Sequence, residues 1–196
     1  MRIVSLSFGH WRRSLAAGVA ALTLAISPVF NFDTAMAQQV GGTLKLAFDH
    51  DAGGFDPAKA TYGMSHAVIE QVFSGLTALD SNANPYPDLA ATIDVSDDGL
   101  VYTFNLKKHV TFHDGTPFTA DDVKYTLDHL KNPDTGYPYA SKLASIESVN
   151  VVDTHTVQVR LTVSDGPFLV NLAFPGNAIV SKTIAETEHD INVTPI

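Results

Sequence analysis

Between Thr43 and Phe48 apolar residues alternate with polar or small ones: Leu44, Leu46 and Phe48 against Thr43, Lys45 and Ala47. That period of two predicts a strand with one buried face. Further on the period lengthens. Ile69, Val72, Phe73 and Leu76 recur at helical spacing, with Gly75 near the predicted helix end. Asp80 to Pro87 is dense in turn formers and reads as a connector. Asp97-Asp98-Gly99 then separates an apolar run at Ile93–Val95 from Val101–Leu106, where Tyr102, Phe104 and Leu106 share one strand face. Asn132-Pro133 ends the next helical stretch, and Tyr137-Pro138-Tyr139 reads as loop. Val149–Val152 and Thr156–Thr162 form a second predicted hairpin about Asp153-Thr154-His155. Pro167 opens a short helix through Leu172, because proline suits a first helical turn. Ala178–Val180 is predicted as a brief apolar strand. No internal repeat or low-complexity linker interrupts this mixed α and β pattern.

The stretch Val110–Val123 carries the densest local information. Asp114-Gly115 supplies a turn, since glycine takes conformations that a Cβ forbids, and Pro117 stiffens its exit. Thr119 is a good N-cap, and Asp122 falls at N3, where a carboxylate meets unpaired backbone N–H groups. The pair forms a capping box with Asp in place of Glu. Phe118 and Val123 occupy the N′ and N4 positions of a hydrophobic staple.

Residues 1–37 read as an address. Arg2, Arg12 and Arg13 make a basic start, Leu15 to Val29 is largely apolar, and Ala35-Met36-Ala37 has the small-x-small form of a signal-peptidase site. The apolar run is short and interrupted for a membrane span. Ser14-Leu15-Ala16 after the Arg pair matches a twin-arginine motif poorly, so Sec export is expected. The chain has no cysteine, hence no lipidated Cys after cleavage and no disulfide. Cleavage after Ala37 would release a protein starting at Gln38, an expectation that suits a periplasm.

Net charge at pH 7 is −9 over 196 residues, and removing Arg2, Arg12, Arg13 and Asp33 with the leader makes the remainder more acidic. Such a chain has no basic stripe for phosphates, which argues against nucleic acid. His109 and His113, if on a strand, would lie about 13 Å apart, too far to share one ion. Asp49-His50-Asp51-Ala52-Gly53-Gly54 fails as a calcium loop, because Gly53 and Ala60 stand where ligands are required. No metal ligand or cofactor is assigned. G-x-S-x-G, H-E-x-x-H, P-loop and G-x-G-x-x-G motifs are all missing. No catalytic residue is assigned and no enzymatic activity is expected.

Several ordered segments resemble family 5 extracellular solute-binding proteins, the peptide-type receptors of ABC importers. They are Gly41-Gly42-Thr43-Leu44, Phe55-Asp56-Pro57, Val72-Phe73-Ser74-Gly75-Leu76, Pro87-Asp88-Leu89-Ala90, Tyr102-Thr103-Phe104-Asn105-Leu106 and the Val110–Val123 stretch. Pro138-Tyr139-Ala140, Asp153-Thr154-His155-Thr156-Val157 and Pro167-Phe168 follow in the family's order. The resemblance implies an α/β, periplasmic-binding-protein-like fold of mixed sheets with flanking helices. Only the first lobe is expected, with the second lobe absent, because the family's members are much longer. Residues 38–196 are thus expected to be the N-terminal part of such a receptor, an incomplete first lobe including its smaller subdomain.

The resemblance further implies a monomeric receptor that binds a peptide or similar small solute in an interlobe cleft and delivers it to ABC permease subunits in the membrane. Family members carry peptides, nickel complexes, haem, glutathione, opines or sugars, and no covalent chemistry is involved. Ligand-binding residues carried over are Thr61, Tyr62, Gly63, Met64 and Ser65, after the Asp-Pro element, and Tyr139. For 61–65 the other reading is an ordinary helix-entry loop with Ser65 as N-cap. For Tyr139 it is packing under its own loop. Two further readings stay open for the whole chain: a truncated, non-binding remnant, and a secreted hydrolase.

Overall fold

The structure, a computed structural model, describes residues 51–185 together with Thr43, Lys45, Ala47 and Thr187. The predicted leader over 1–37 and the faces of the strand predicted at 44–48 lie outside the described residues. Residues 51–185 belong to one compact unit, which begins at His50.

In chain order the elements are α1 (Gly63–Ile69), β1 (Thr77–Leu79), β2 (Pro85–Pro87), β3 (Ala90–Val95), β4 (Val101–Leu106), α2 (Ala120–Lys131), β5 (Ile146–Asp153), β6 (Thr156–Leu161), α3 (Phe168–Leu172) and α4 (Lys182–Ala185). A four-stranded antiparallel sheet runs in the order β3-β4-β6-β5, and β1 pairs with β2 in a small separate ribbon. Both predicted hairpins are therefore present. The first turns at Gly99, whose φ of +69° only glycine adopts at little cost. The Asp98 carboxylate closes that turn by accepting from the Ser96 hydroxyl and the Leu100 N–H. Asp153 does the same at the second hairpin, accepting from the His155 N–H.

The faces follow the sequence period. Tyr102, Phe104 and Leu106 of β4 and Val157, Val159 and Leu161 of β6 are all buried on one side. Phe104 sits opposite Val157 and Tyr102 opposite Val159 in the register. Helix α2 covers this side, packing on β5 and β6 and burying Val123, Leu127 and Leu130. Its start is built as the sequence predicts. The Asp122 carboxylate accepts from the Thr119 N–H at 2.8 Å and the Thr119 hydroxyl at 3.0 Å, while Phe118 and Val123 are both buried. The other Asp122 oxygen accepts from the Lys182 N–H at 2.9 Å, a contact across 60 residues that ties α4 to the helix start.

Several local expectations are corrected. Helix α1 stops at Ile69, well short of Gly75, because the chain tightens through Val72 and Phe73 N–H bonds to the Ile69 carbonyl. Ile69, Phe73 and Leu76 are nevertheless buried, so their spacing reports a buried face that outlasts the helix. Gly75 is no cap: a Cβ there would stand 2.9 Å from the Thr77 carbonyl and 3.1 Å from that of Leu172. The Asp80–Pro87 connector contains strand β2, since Pro85–Pro87 pairs back on β1. Ala178–Val180 is buried but is no strand. The Ile179 N–H goes to the Ser74 carbonyl and the Val180 N–H to the Thr126 hydroxyl, which leaves no ladder to join. His109 and His113 lie in turns rather than on a strand, and His109 has a φ of +63°.

A second apolar cluster of Ala60, Ile69, Phe73, Ala178 and Val180 joins α1 to the 178–180 segment. This packing fixes where the 61–65 loop stands relative to the rest of the unit.

Candidate functional site

The 61–65 segment leaves the Asp56-Pro57 turn, where the Asp56 carboxylate accepts from the Ala58 N–H, and enters α1. Tyr62, in extended conformation, is the residue before the helix, so Ser65 is not the N-cap. Ser65 lies in the first turn, fully buried, and its hydroxyl accepts from the Gly53 N–H at 3.1 Å. Thr61 and Gly63 are exposed, Met64 is half-buried, and Tyr62 is 67% exposed. A Cβ at Gly63 would touch nothing, so space above this position is open.

Tyr139 comes from 78 residues further on, at the head of a 3-10 turn over Ala140–Leu143, and meets this same segment. Its hydroxyl donates to the Thr61 carbonyl at 3.3 Å. Its ring stands edge-on to Phe174 at 4.7 Å between centroids and lies 5.7 Å from His66. His66 in turn meets Phe174 edge-on at 4.9 Å, and its Nε2 is 3.1 Å from the Ala60 carbonyl. Three rings from three parts of the chain thus close one cluster. Offset and edge-on contacts of this kind are the favourable ones for aromatic quadrupoles. The structure therefore brings Tyr139 to the 61–65 segment, although the two are remote in sequence.

Behind Tyr139 stands a buried polar clamp. Tyr137 is 6% exposed and meets Tyr139 edge-on at 5.9 Å. Its hydroxyl donates to Asn177 Oδ1 at 2.8 Å, and Asn177 Nδ2 donates to the Asn171 carbonyl at 2.7 Å. Burial pushes the Tyr137 phenol well above its usual value, with the neighbouring Tyr139 adding to the shift. Glycine is required at 176, because a Cβ there would lie 2.6 Å from the Tyr137 hydroxyl oxygen and 2.9 Å from Phe174 Cε1. Lys142 completes the group, its Nζ 4.7 Å from the centroid of the Phe174 ring.

His66, Lys142, Phe174, Tyr137 and Asn177 are the residues that the sequence reading does not single out. Phe174 and Asn177 carry no local signature and join the cluster only through packing.

Two cavities lie elsewhere. One of about 180 Å³ is walled by Asp56–Lys59, by Tyr125 and His129 of α2, and by Gly176, Ala178 and Val180. A second, of about 110 Å³, sits under the Val110–His113 loop against Phe73 and Phe118. Neither is lined by Thr61–Ser65 or Tyr139; beside the aromatic cluster, Tyr62 and the space above Gly63 are open, so this side of it forms a wall. The described residues hold no group of three or more His, Cys, Asp or Glu side chains placed to grip a metal ion.

The sequence profile described as bacterial extracellular solute-binding proteins, family 5 Middle, matches residues 84–196. Di/tripeptide-binding protein 1 of Pseudomonas aeruginosa (strain UCBPP-PA14) is 34% identical over 187 residues, covering 83% of this chain and 35% of that protein. The chain superposes on NikZ from Campylobacter jejuni in complex with Ni(L-His) with a TM-score of 0.66 and 32% identity, covering 74% of this chain and 29% of the other. It superposes on the substrate-binding domain of an oligopeptide ABC transporter from Bacillus anthracis str. Ames with a TM-score of 0.70 and 25% identity, covering 74% of this chain and 31% of the other. The chain spans between 27% and 35% of the length of the curated relatives it matches.

Proposed function

The chain belongs to the bacterial extracellular solute-binding proteins of family 5, and from that premise we propose that it binds a small peptide at the wall formed by Thr61–Ser65 and Tyr139. The observation that carries the reading is the 3.3 Å hydrogen bond from the Tyr139 hydroxyl to the Thr61 carbonyl. It joins the two segments expected to line a cleft and leaves the Tyr62 ring and the space above Gly63 open to solvent. Tyr62 offers a rigid apolar face with a polar tip at small entropic cost on binding. Exposure of Thr61 and Gly63 leaves room for a ligand to approach the backbone beside Tyr62. A di- or tripeptide is favoured as ligand by the name of the Pseudomonas relative, di/tripeptide-binding protein 1.

The remaining parts of the proposal follow the family. Residues 1–37 act as a Sec signal peptide, and residues 38–196 form first-lobe structure of a periplasmic receptor. Ligand binding biases a hinge between lobes toward closure, and the closed form hands the solute to ABC permease subunits. The protein works as a monomer, without nucleic acid and without chemistry on its ligand.

Calorimetric titration of the purified chain with dialanine and trialanine tests this reading. Binding by the wild-type protein is expected, with a rise in unfolding temperature that grows with peptide concentration. Tyr62→Ala should weaken binding about tenfold and leave the peptide-free unfolding temperature unchanged, because the side chain is mostly exposed. Absence of any heat or stabilisation, or hydrolysis of the peptides during titration, overturns it.

A further inference from the structure

Lys142 differs from the lysines of this acidic chain that pair with carboxylates. Lys59, Lys107 and Lys124 each lie within 4.0 Å of a carboxylate, of Asp56, Asp88 and Asp128 respectively. Lys131 donates to the Glu147 carbonyl. The ammonium of Lys142 instead rests over the Phe174 ring, half-buried, with no carboxylate among the described residues within ion-pair distance. A ring face attracts a cation but accepts no conventional hydrogen bond, so the three N–H donors of the ammonium still seek an oxygen partner. The same Phe174 ring packs on Tyr139 and His66, which sets Lys142 on the rim of the aromatic wall. Its stem is held before any ligand arrives, and that lowers the ordering cost of a new ion pair.

Resting on the peptide-binding reading above, we propose that Lys142 determines specificity at this wall by pairing with a carboxylate of the ligand. Two sources of that carboxylate exist, the peptide C-terminus and an acidic side chain, and the chemistry at Lys142 is the same for both. In a chain with 21 acidic and 12 basic residues, a cation at the aromatic wall supplies local positive charge on which to seat an anionic group. Partial burial over the Phe174 ring lowers the local dielectric and strengthens a charge-assisted hydrogen bond there.

The test uses three dipeptides that differ only in where a carboxylate sits: alanyl-glutamine amide with none, alanyl-glutamine with one at the C-terminus, and alanyl-glutamate α-amide with one on the side chain. Their dissociation constants are measured for the wild-type chain, Lys142→Gln and Lys142→Arg. The wild type should prefer one of the two carboxylate-bearing peptides over the uncharged amide by about tenfold, and which one it prefers identifies the carboxylate read. Lys142→Gln should erase that ratio. Lys142→Arg should keep most of the ratio. Equal affinities of the wild type for all three peptides overturn the inference and leave peptide binding standing, as does a ratio that survives Lys142→Gln. Failure of the wild type to bind any of the three overturns peptide binding and this inference with it.

Discussion

Replacing Asn177 by alanine should cost far more than the loss of one surface amide. Asn177 is 1% exposed and makes two short bonds, accepting from the Tyr137 hydroxyl at 2.8 Å and donating to the Asn171 carbonyl at 2.7 Å. Each bond is worth about 1 kcal/mol net, and the Tyr137 hydroxyl left buried without an acceptor adds about 1–3 kcal/mol of unrecovered desolvation. The expected destabilisation is about 3 kcal/mol. Tyr137→Phe forfeits one bond and strands Asn177 Oδ1, so about 2 kcal/mol is expected for it. In the double variant the stranded hydroxyl no longer exists, and its cost should fall short of the sum by about 1–2 kcal/mol. Urea unfolding reads all three, because a slope of about 1–3 kcal/mol/M turns 3 kcal/mol into a midpoint shift of about 1 M or more. The clamp also predicts an alkaline signature. The Tyr137 phenol is held above its usual value of 10.0, so its contribution is complete below pH 10 and declines as pH rises beyond it. Tyr137→Phe should remove that part of the alkaline loss. A cost below about 1 kcal/mol for Asn177→Ala, or strict additivity in the double variant, would refute the reasoning.

Two further outcomes follow from the polar turns and caps. Asp122→Ala removes the capping-box carboxylate and the acceptor for the Lys182 N–H, and should destabilise by about 2–3 kcal/mol with faster hydrogen exchange at Lys182. Unchanged exchange at Lys182 would show that the long-range bond contributes nothing. Asp80, Asp98, Asp114 and Asp153 are all held below the usual value of 3.8, chiefly by the Asn84 N–H, the Ser96 hydroxyl, the Thr116 hydroxyl and the His155 N–H respectively. Their folded values lie below their unfolded ones, so their contribution is complete above pH 3.8 and is lost as pH falls through the folded values. Asp114→Asn should therefore flatten part of the acid limb of a stability–pH profile, and an unaltered limb would count against this assignment.

Much of this fold is written in neighbouring residues. The turns at Asp98-Gly99 and Asp153–His155, the alternation through Tyr102, Phe104 and Leu106, and the Thr119–Asp122 start of α2 all use groups within a few positions of each other. Their partners are near in sequence whether or not the chain is compact, so sequence alone predicts them. Where the partner is remote, the local pattern misleads. Ala178–Val180 has the composition of a strand, yet its N–H groups are claimed by Pro175, Ser74 and Thr126. Helical spacing at Ile69–Leu76 reports a buried face, while the helix itself ends at Ile69.

The candidate site divides along the same line. Its expected members, Thr61 to Ser65 and Tyr139, come from two segments whose order matches the family, but only the folded chain sets the Tyr139 hydroxyl on the Thr61 carbonyl. Phe174, Asn177 and Lys142 enter because Gly176 has no Cβ to hold Tyr137 and Phe174 away. Sequence determined the turns, the caps and the strand faces, since a period or a cap needs only a few adjacent residues. Tertiary structure decided which rings meet and which lysine rests over one of them, because contacts across 40 to 78 residues form only when the core closes.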